Sequence, residues 1–412
     1  MSHFNVLTTS AAELQQLLTA NKTTSVQIIT SYLSQIEAHN PKVNAFISIA
    51  PRDILLGIAA TLDDERTQGR VRGPLHGIPI VLKDAFITAS ELSMGTTAGS
   101  RALIGAKAAK NSAIAQRLID TGLIILGKTN MTTLSPYVGQ IEEGETLLGH
   151  SAPGGSLTGS AVAVATGFSP LAMGTETIGS IITPASRAAL LYTLTDFFDS
   201  PWPMAKSAAD VIALTEILPG QSLSVGFLDP AVWKADEGIC RQHQGTAKLR
   251  LRHCQDQGLR MLAPIVWEFN SICIPRFLDI VKFNKENKSE CLPPPYTEQN
   301  DLLNALYNND ENEEYISALR TGLKVVARQI VDMVMEQEKV DMITAPSDSP
   351  LCIHVAAAGY PIATVPLGQL RYNKRPFRLC LMARAGDDEK LLRFMVAYEA
   401  YVAGPRPVPD LE

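Results

Sequence analysis

The sequence predicts an α/β fold, and three observations carry that expectation. Its 412 residues are 46% hydrophobic and only 19% charged, enough apolar matter for a large buried core rather than a disordered chain. Helical periodicity alternates with short apolar runs, as at 112–121 followed directly by Leu123–Leu126, which is the signature of mixed layers. Late in the chain the pattern returns, with short strands at Met342–Ala345 and Ala363–Val365 before a closing helix at Leu391–Tyr398.

From the N-terminus, residues 10–40 read as two amphipathic helices. Ser10 can cap the first, A-A-E-L-Q-Q-L-L, with Glu13 three residues on, the spacing of a capping box. Thr24 or Ser25 can cap the second, and a third helix is expected over 53–67. Gly73-Pro74-Leu75-His76-Gly77 is a turn, with Ile78–Leu82 behind it as a buried strand. Ala161–Ala165 fits strand or helix by periodicity alone. Its small residues directly after a Gly-Ser turn favour a close-packed helix whose first N–H groups face that turn. Another helix over Ala208–Leu218 ends at Pro219-Gly220. The stretch 221–300 is less regular, with a basic patch, K-L-R-L-R-H, and a break at Pro293-Pro294-Pro295. Residues 301–337 pass from polar to helical, with I-V-D-M-V-M at helical spacing.

Composition excludes several function classes. A net charge of −6 leaves no basic footprint, so nucleic acid is not an expected partner. No apolar run approaches the length of a membrane-spanning helix, and the first residues lack the basic-then-apolar pattern of a signal peptide. The six cysteines, Cys240, Cys254, Cys273, Cys291, Cys352 and Cys380, form no C-x-x-C pair. Zinc and thioredoxin-like chemistry are therefore not expected, and scattered thiols fit a reducing, cytoplasmic setting.

Two glycine-rich turns carry serines, G-G-S at Ser156 and I-G-S at Ser180, and a lysine, Lys83, ends the apolar run G-I-P-I-V-L-K-D. Singly, each has an ordinary explanation. A strand-end lysine usually snorkels to solvent, and Gly-Ser clusters are mostly plain loops. In combination they suggest a Ser–Ser–Lys hydrolytic centre acting on amide or related acyl bonds. A base role for Lys83 needs a neutral amine, which burial behind Ile78–Leu82 would favour. A facing Asp84 carboxylate would hold the proton on, but strand alternation sends neighbours to opposite faces. Neither the phosphate-binding G-x-x-x-x-G-K-[ST] pattern nor the G-x-S-x-G elbow occurs. His76 and His150 could each serve a serine, and spacing argues for neither.

In these blocks the chain resembles the amidase signature family of serine hydrolases. The matching segments are G-P-L-H-G-I-P-I-V-L-K-D at 73–84, T-T-A-G-S at 96–100, L-G-K-T-N-M at 126–131, P-G-G-S-L-T-G-S-A-V-A-V-A at 153–165 and G-T-E-T-I-G-S-I at 174–181. A-A-A-G-Y-P-I-A-T-V-P-L-G at 356–368 looks like the family's late sheet segment. The likeness covers roughly residues 5–218 and 340–405. It implies one amidase-signature domain over 1–412: a signature core at 5–218, a variable segment at 219–340 and a C-terminal sheet and helix part at 341–412. The implied fold is a central mixed β-sheet flanked by helices on both faces.

The resemblance also assigns roles. Ser180 corresponds to the nucleophile, Ser156 to a bridging serine preceded by a cis peptide bond, and Lys83 to the base. Backbone N–H groups of Thr177, Ile178, Gly179 and Ser180 would line the oxyanion hole. Met94, Gly95 and Met131 fall in segments expected to contact substrate. No metal or organic cofactor is implied, and the expected partner is a small amide or acyl substrate. Oligomeric state is not readable, so a homodimer stays open. Several positions depart from the family pattern. Leu157 and Thr158 replace a serine and a small residue, Ile178 stands in the nucleophile turn, and the stretches after Met131 and Ser186 are shortened. Carboxamide hydrolysis is the leading expectation. Acyl transfer or cyclisation from the same centre, and a non-catalytic binding paralogue, are the alternatives.

Overall fold

The structure, a computed structural model, describes residues 4–106, 108–131, 154–194, 200–218, 277–294, 297–307, 313–370, 374–402, 404 and 406–411. The shortened stretch after Met131, His150, the basic patch and the cysteines at 240, 254 and 273 lie outside the described residues.

Capping residues set the first two helices. In α1 (Ala11–Thr19), Ser10 and Glu13 exchange side-chain and backbone hydrogen bonds in a complete capping box. In α2 (Ser25–Val43), Thr24 is the cap and Gln27 completes the box. Strand β1 (Phe46–Ile49), helix α3 (Arg52–Thr67) and strand β2 (Pro79–Lys83) follow. Next come α4 (Ala113–Asp120), capped by Ser112, and β3 (Ile124–Thr129). The ambiguous small-residue segment is a helix, α5 (Thr158–Ala165), with most of its residues buried. After it run β4 (Leu171–Glu176), the short α6 (Ile182–Arg187), β5 (Leu191–Leu194), β6 (Ser200–Ala205) and α7 (Ala208–Ile217). The remaining helices before the late sheet are α8 (Phe277–Glu286), α9 (Lys288–Cys291), α10 (Asn300–Tyr307) and α11 (Glu313–Gln337). The chain then forms β7 (Met342–Pro346), α12 (Leu351–Ala358), β8 (Ile362–Gln369), β9 (Pro376–Ala383) and α13 (Asp388–Tyr401).

The strands join one nine-stranded sheet in the order β1-β3-β2-β4-β6-β5-β8-β9-β7. β2 pairs in parallel with both β3 and β4, and the other pairs are antiparallel. The sheet is therefore mixed. Every residue of β2 and β3 is buried, so both faces of this parallel centre are covered, as such strands require. Helix α5 packs on β2, β3 and β4, while α7 and α13 pack on the strands to the other side of β4.

Three differences from the sequence reading have physical causes. β2 runs one residue further than expected and takes in Lys83. β6, S-P-W-P-M-A, escaped notice because proline normally excludes a central strand. Here Pro201 and Pro203 stand opposite Thr175 and Met173 of β4. The segment at 356–368 is not all strand. Its first residues end α12, Gly359 turns the chain at φ 62°, and β8 begins at Ile362.

Candidate active site

The parallel centre of the sheet brings the two serine turns to the end of β2. Lys83, the last residue of β2, is 1% exposed. Its Nζ lies 2.8 Å from Ser156 Oγ, 2.7 Å from Thr175 Oγ1 and 3.3 Å from the Thr175 carbonyl oxygen. Ser156 Oγ in turn lies 3.0 Å from Ser180 Oγ. The three side chains expected to react thus form one continuous hydrogen-bonded line. It starts at a buried amine and ends at the half-buried Ser180.

Local sequence explains why the turns hold together. The Gly155–Ser156 peptide bond is cis. Thr158 Oγ1 donates to the Gly154 carbonyl at 2.6 Å, closing the turn ahead of α5. The Leu157 N–H donates to the Ser180 carbonyl at 3.1 Å, tying the Ser156 turn to the Ser180 turn. The Leu157 side chain is fully buried over Gly174, where a Cβ would lie 2.1 Å from Leu157 Cδ2. Leu157 and Thr158, the departures from the family pattern, therefore have structural employment. Ile178 does not carry the left-handed position of its turn. That falls on Gly179, at φ 92°, where a side chain would be strained. The Ile178 side chain is exposed.

Asp84 turns away from Lys83, as alternation requires. Its Oδ1 lies 3.1 Å from Lys128 Nζ, with both side chains fully buried, and its Oδ2 accepts from the Thr97 N–H and hydroxyl. Burial pushes the Lys128 ammonium below the usual lysine range, and the Asp84 carboxylate opposes that shift.

Glu176 was not singled out from the sequence. Its buried carboxylate accepts the N–H groups of Ser180 at 2.9 Å, of Ile181, and of Ile182 at 3.1 Å, and the Gly179 N–H also turns to it. Burial raises its pKa, while these N–H groups and Lys83 pull it back down. The Ser180 N–H, expected in the oxyanion hole, is thus engaged by Glu176. An acidic residue four positions before a serine at the start of a helix was the available signal.

The other candidates are placed as follows. Met94 and Met131 are buried and Gly95 is exposed. His76 is buried away from the serine line. Its Nδ1 accepts the Arg72 N–H at 3.2 Å, so its Nε2–H faces the Leu62 carbonyl at 2.9 Å. Among the described residues, no cluster of His, Cys, Asp and Glu has the makings of a metal site.

Residues 27–191 match the Amidase family. A protein of Schizosaccharomyces pombe whose name assigns it provisionally to the amidases is 26% identical, over 96% of this chain and 86% of that protein. A glutamyl-tRNA(Gln) amidotransferase subunit of Chloroflexus aurantiacus is 34% identical, over 56% of this chain and 50% of that one. Among solved structures, the peptide amidase of Stenotrophomonas maltophilia superposes with a TM-score of 0.77 at 27% identity, covering 98% of this chain and 99% of that one. With the sheet, the serine turns and these likenesses together, the chain resembles the amidase signature enzymes in sequence and fold, and the likenesses point to a hydrolase of carbon–nitrogen bonds.

Proposed function

We propose that this chain hydrolyses carboxamides through an acyl-enzyme on Ser180. The observation that carries the reading is the line from Lys83 Nζ through Ser156 Oγ to Ser180 Oγ, with spacings of 2.8 and 3.0 Å. Neutral Lys83 takes the proton of Ser156, and Ser156 takes that of Ser180. Ser180 Oγ then bonds to the substrate carbonyl carbon as its π electrons move to oxygen. Collapse of that intermediate breaks the C–N bond, and the proton returns through Ser156 to the leaving amine. Water repeats the sequence to release the acid. The resemblance assigns the oxyanion contacts to the backbone N–H groups of Thr177, Ile178 and Gly179, while that of Ser180 serves Glu176. No step draws on a metal or organic cofactor.

Likeness over nearly the full length to a peptide amidase, against half of an amidotransferase chain, favours hydrolysis over transamidation. It makes peptide amides the first substrates to screen. The free thiols of Cys291, Cys352 and Cys380 support a reducing, cytoplasmic setting, and among the described residues no helix is long and apolar enough to cross a membrane. The test is fluorophosphonate labelling. The native protein is expected to gain one adduct, on Ser180, that Ser180→Ala cannot form. A native protein that gains none at neutral pH overturns the proposal.

A further inference from the structure

We infer that Thr175 is a positioning residue that aims the Lys83 amine at Ser156, an inference that rests on the base role proposed above. Nζ has Thr175 Oγ1 at 2.7 Å and the Thr175 carbonyl oxygen at 3.3 Å, besides Ser156 Oγ at 2.8 Å. A neutral amine has two N–H bonds and one lone pair, tetrahedrally arranged. A carbonyl oxygen can only accept, so its contact uses one N–H. With Thr175 Oγ1 accepting the second, the lone pair is left for the Ser156 hydroxyl proton. One residue thus supplies two acceptors to the amine, both on the Thr175 side of Nζ.

The neighbouring strand accounts for that carbonyl being available. In the antiparallel β4–β6 pair, Thr175 faces Pro201 and Met173 faces Pro203. Proline has no N–H to donate. The ladder bonds therefore fall on the alternate pairs, Ala172 with Met204, Gly174 with Trp202 and Glu176 with Ser200. A residue between bonded positions turns its C=O away from the partner strand. The Thr175 carbonyl thus points to the other side of β4, where β2 is the neighbour and Lys83 its last residue. The two prolines fix the parity that delivers an acceptor to the base. Among the described residues, charged groups nearby include Glu176, which interacts with Lys83, and the Asp84–Lys128 pair, whose members face each other. None of them is altered by a change at Thr175.

The experiment measures the second-order rate of fluorophosphonate labelling at Ser180 across pH, with melting temperature as a check on folding. Thr175→Val keeps the shape and the carbonyl but deletes the hydroxyl acceptor. Its plateau rate is expected to fall about 10- to 100-fold, on the scale of general-base contributions. Its acid limb should move to lower pH, because a hydroxyl acceptor favours the ammonium over the amine. Thr175→Ser should restore both. A valine variant that labels at the native rate, a slower one whose acid limb stays in place, or a serine variant that behaves like valine overturns the inference. Should the valine variant fail to fold, Thr175→Ala replaces it with the same expectations. Absence of labelling in the native protein defeats the proposed function itself. A labelled native protein with an unaffected valine variant defeats only the role of Thr175.

Discussion

Two neighbouring side chains, Lys83 and Asp84, leave the end of β2 in different directions and acquire different partners. Lys83 meets Ser156 and Thr175, while Asp84 meets Lys128. This separation lets a buried lysine stand beside a carboxylate in sequence without being paired to it in space. Lys83→Ala and Lys83→Met should both slow Ser180 labelling by about 10²- to 10⁴-fold if the amine is the base. The two should differ in stability. Lys83 fills fully buried volume, so alanine leaves a cavity of the kind that costs about 2–5 kcal/mol, whereas methionine keeps most of the packing. Thermal melts should rank Met above Ala, and near-native labelling of either variant would remove Lys83 from the role. At this scale the three residues of the proposed proton line could be picked out because each sits in a sequence block with a recognisable turn or strand. Glu176 and Thr175 were not, because what they do depends on backbone N–H groups and a lysine brought to them by the fold.

Among elements, the pairing of α5 with β4 controls the site most directly. Leu157 starts α5 and packs its side chain on Gly174 of β4, while its N–H holds the Ser180 carbonyl. Gly174→Ala should therefore overpack this contact, at a cost of about 1–3 kcal/mol. Because Leu157 has to move, Ser180 labelling should slow along with the fall in melting temperature. Unchanged labelling in a destabilised Gly174→Ala protein would show that the packing contact and the serine turn are independent. The sequence was informative where local chemistry decides an element, as with the capping boxes at Ser10 and Thr24. It was silent on β1, β4, β5, β6 and β9. These are short strands whose pairing is decided by neighbours distant in the chain, and in β6 two prolines argued against a strand that the register in fact accommodates.

Across the whole molecule, β5 makes the sheet continuous. Leu191 and Tyr192 pair with β6, and Thr193 and Leu194 pair with β8. The early and late blocks of family likeness correspond to the two sides of this strand. Both blocks were visible in the sequence, but the four residues that join them were not. Global stability also carries a pH signature at Asp388, the first residue of α13. Its side chain is buried, and burial, with Asp387 adding repulsion and a backbone N–H opposing, raises its pKa to about 6. The unfolded chain ionises this group in the usual aspartate range. The folded state thus binds a proton that the unfolded state has released, so stability falls as pH rises from that range to about 6 and stays lower above it. Asp388→Asn should raise the melting temperature at pH above that value and change it little in mild acid. An equal gain at both pH values would contradict the assignment.

The bond between the Leu157 N–H and the Ser180 carbonyl also turns the intervening chain into a closed circuit. The backbone leaves Ser156, runs out along the eight residues of α5, returns along the six of β4 and is fastened where it began. By ordinary rises the helix covers about 12 Å and the strand about 20 Å, with the connection 166–170 taking up the difference. The interval between the two serines is therefore a matched length, set by the distance out and the distance back. An added or deleted residue within either limb would have to be absorbed in that connection before the circuit could close again on the same pair of hydroxyls.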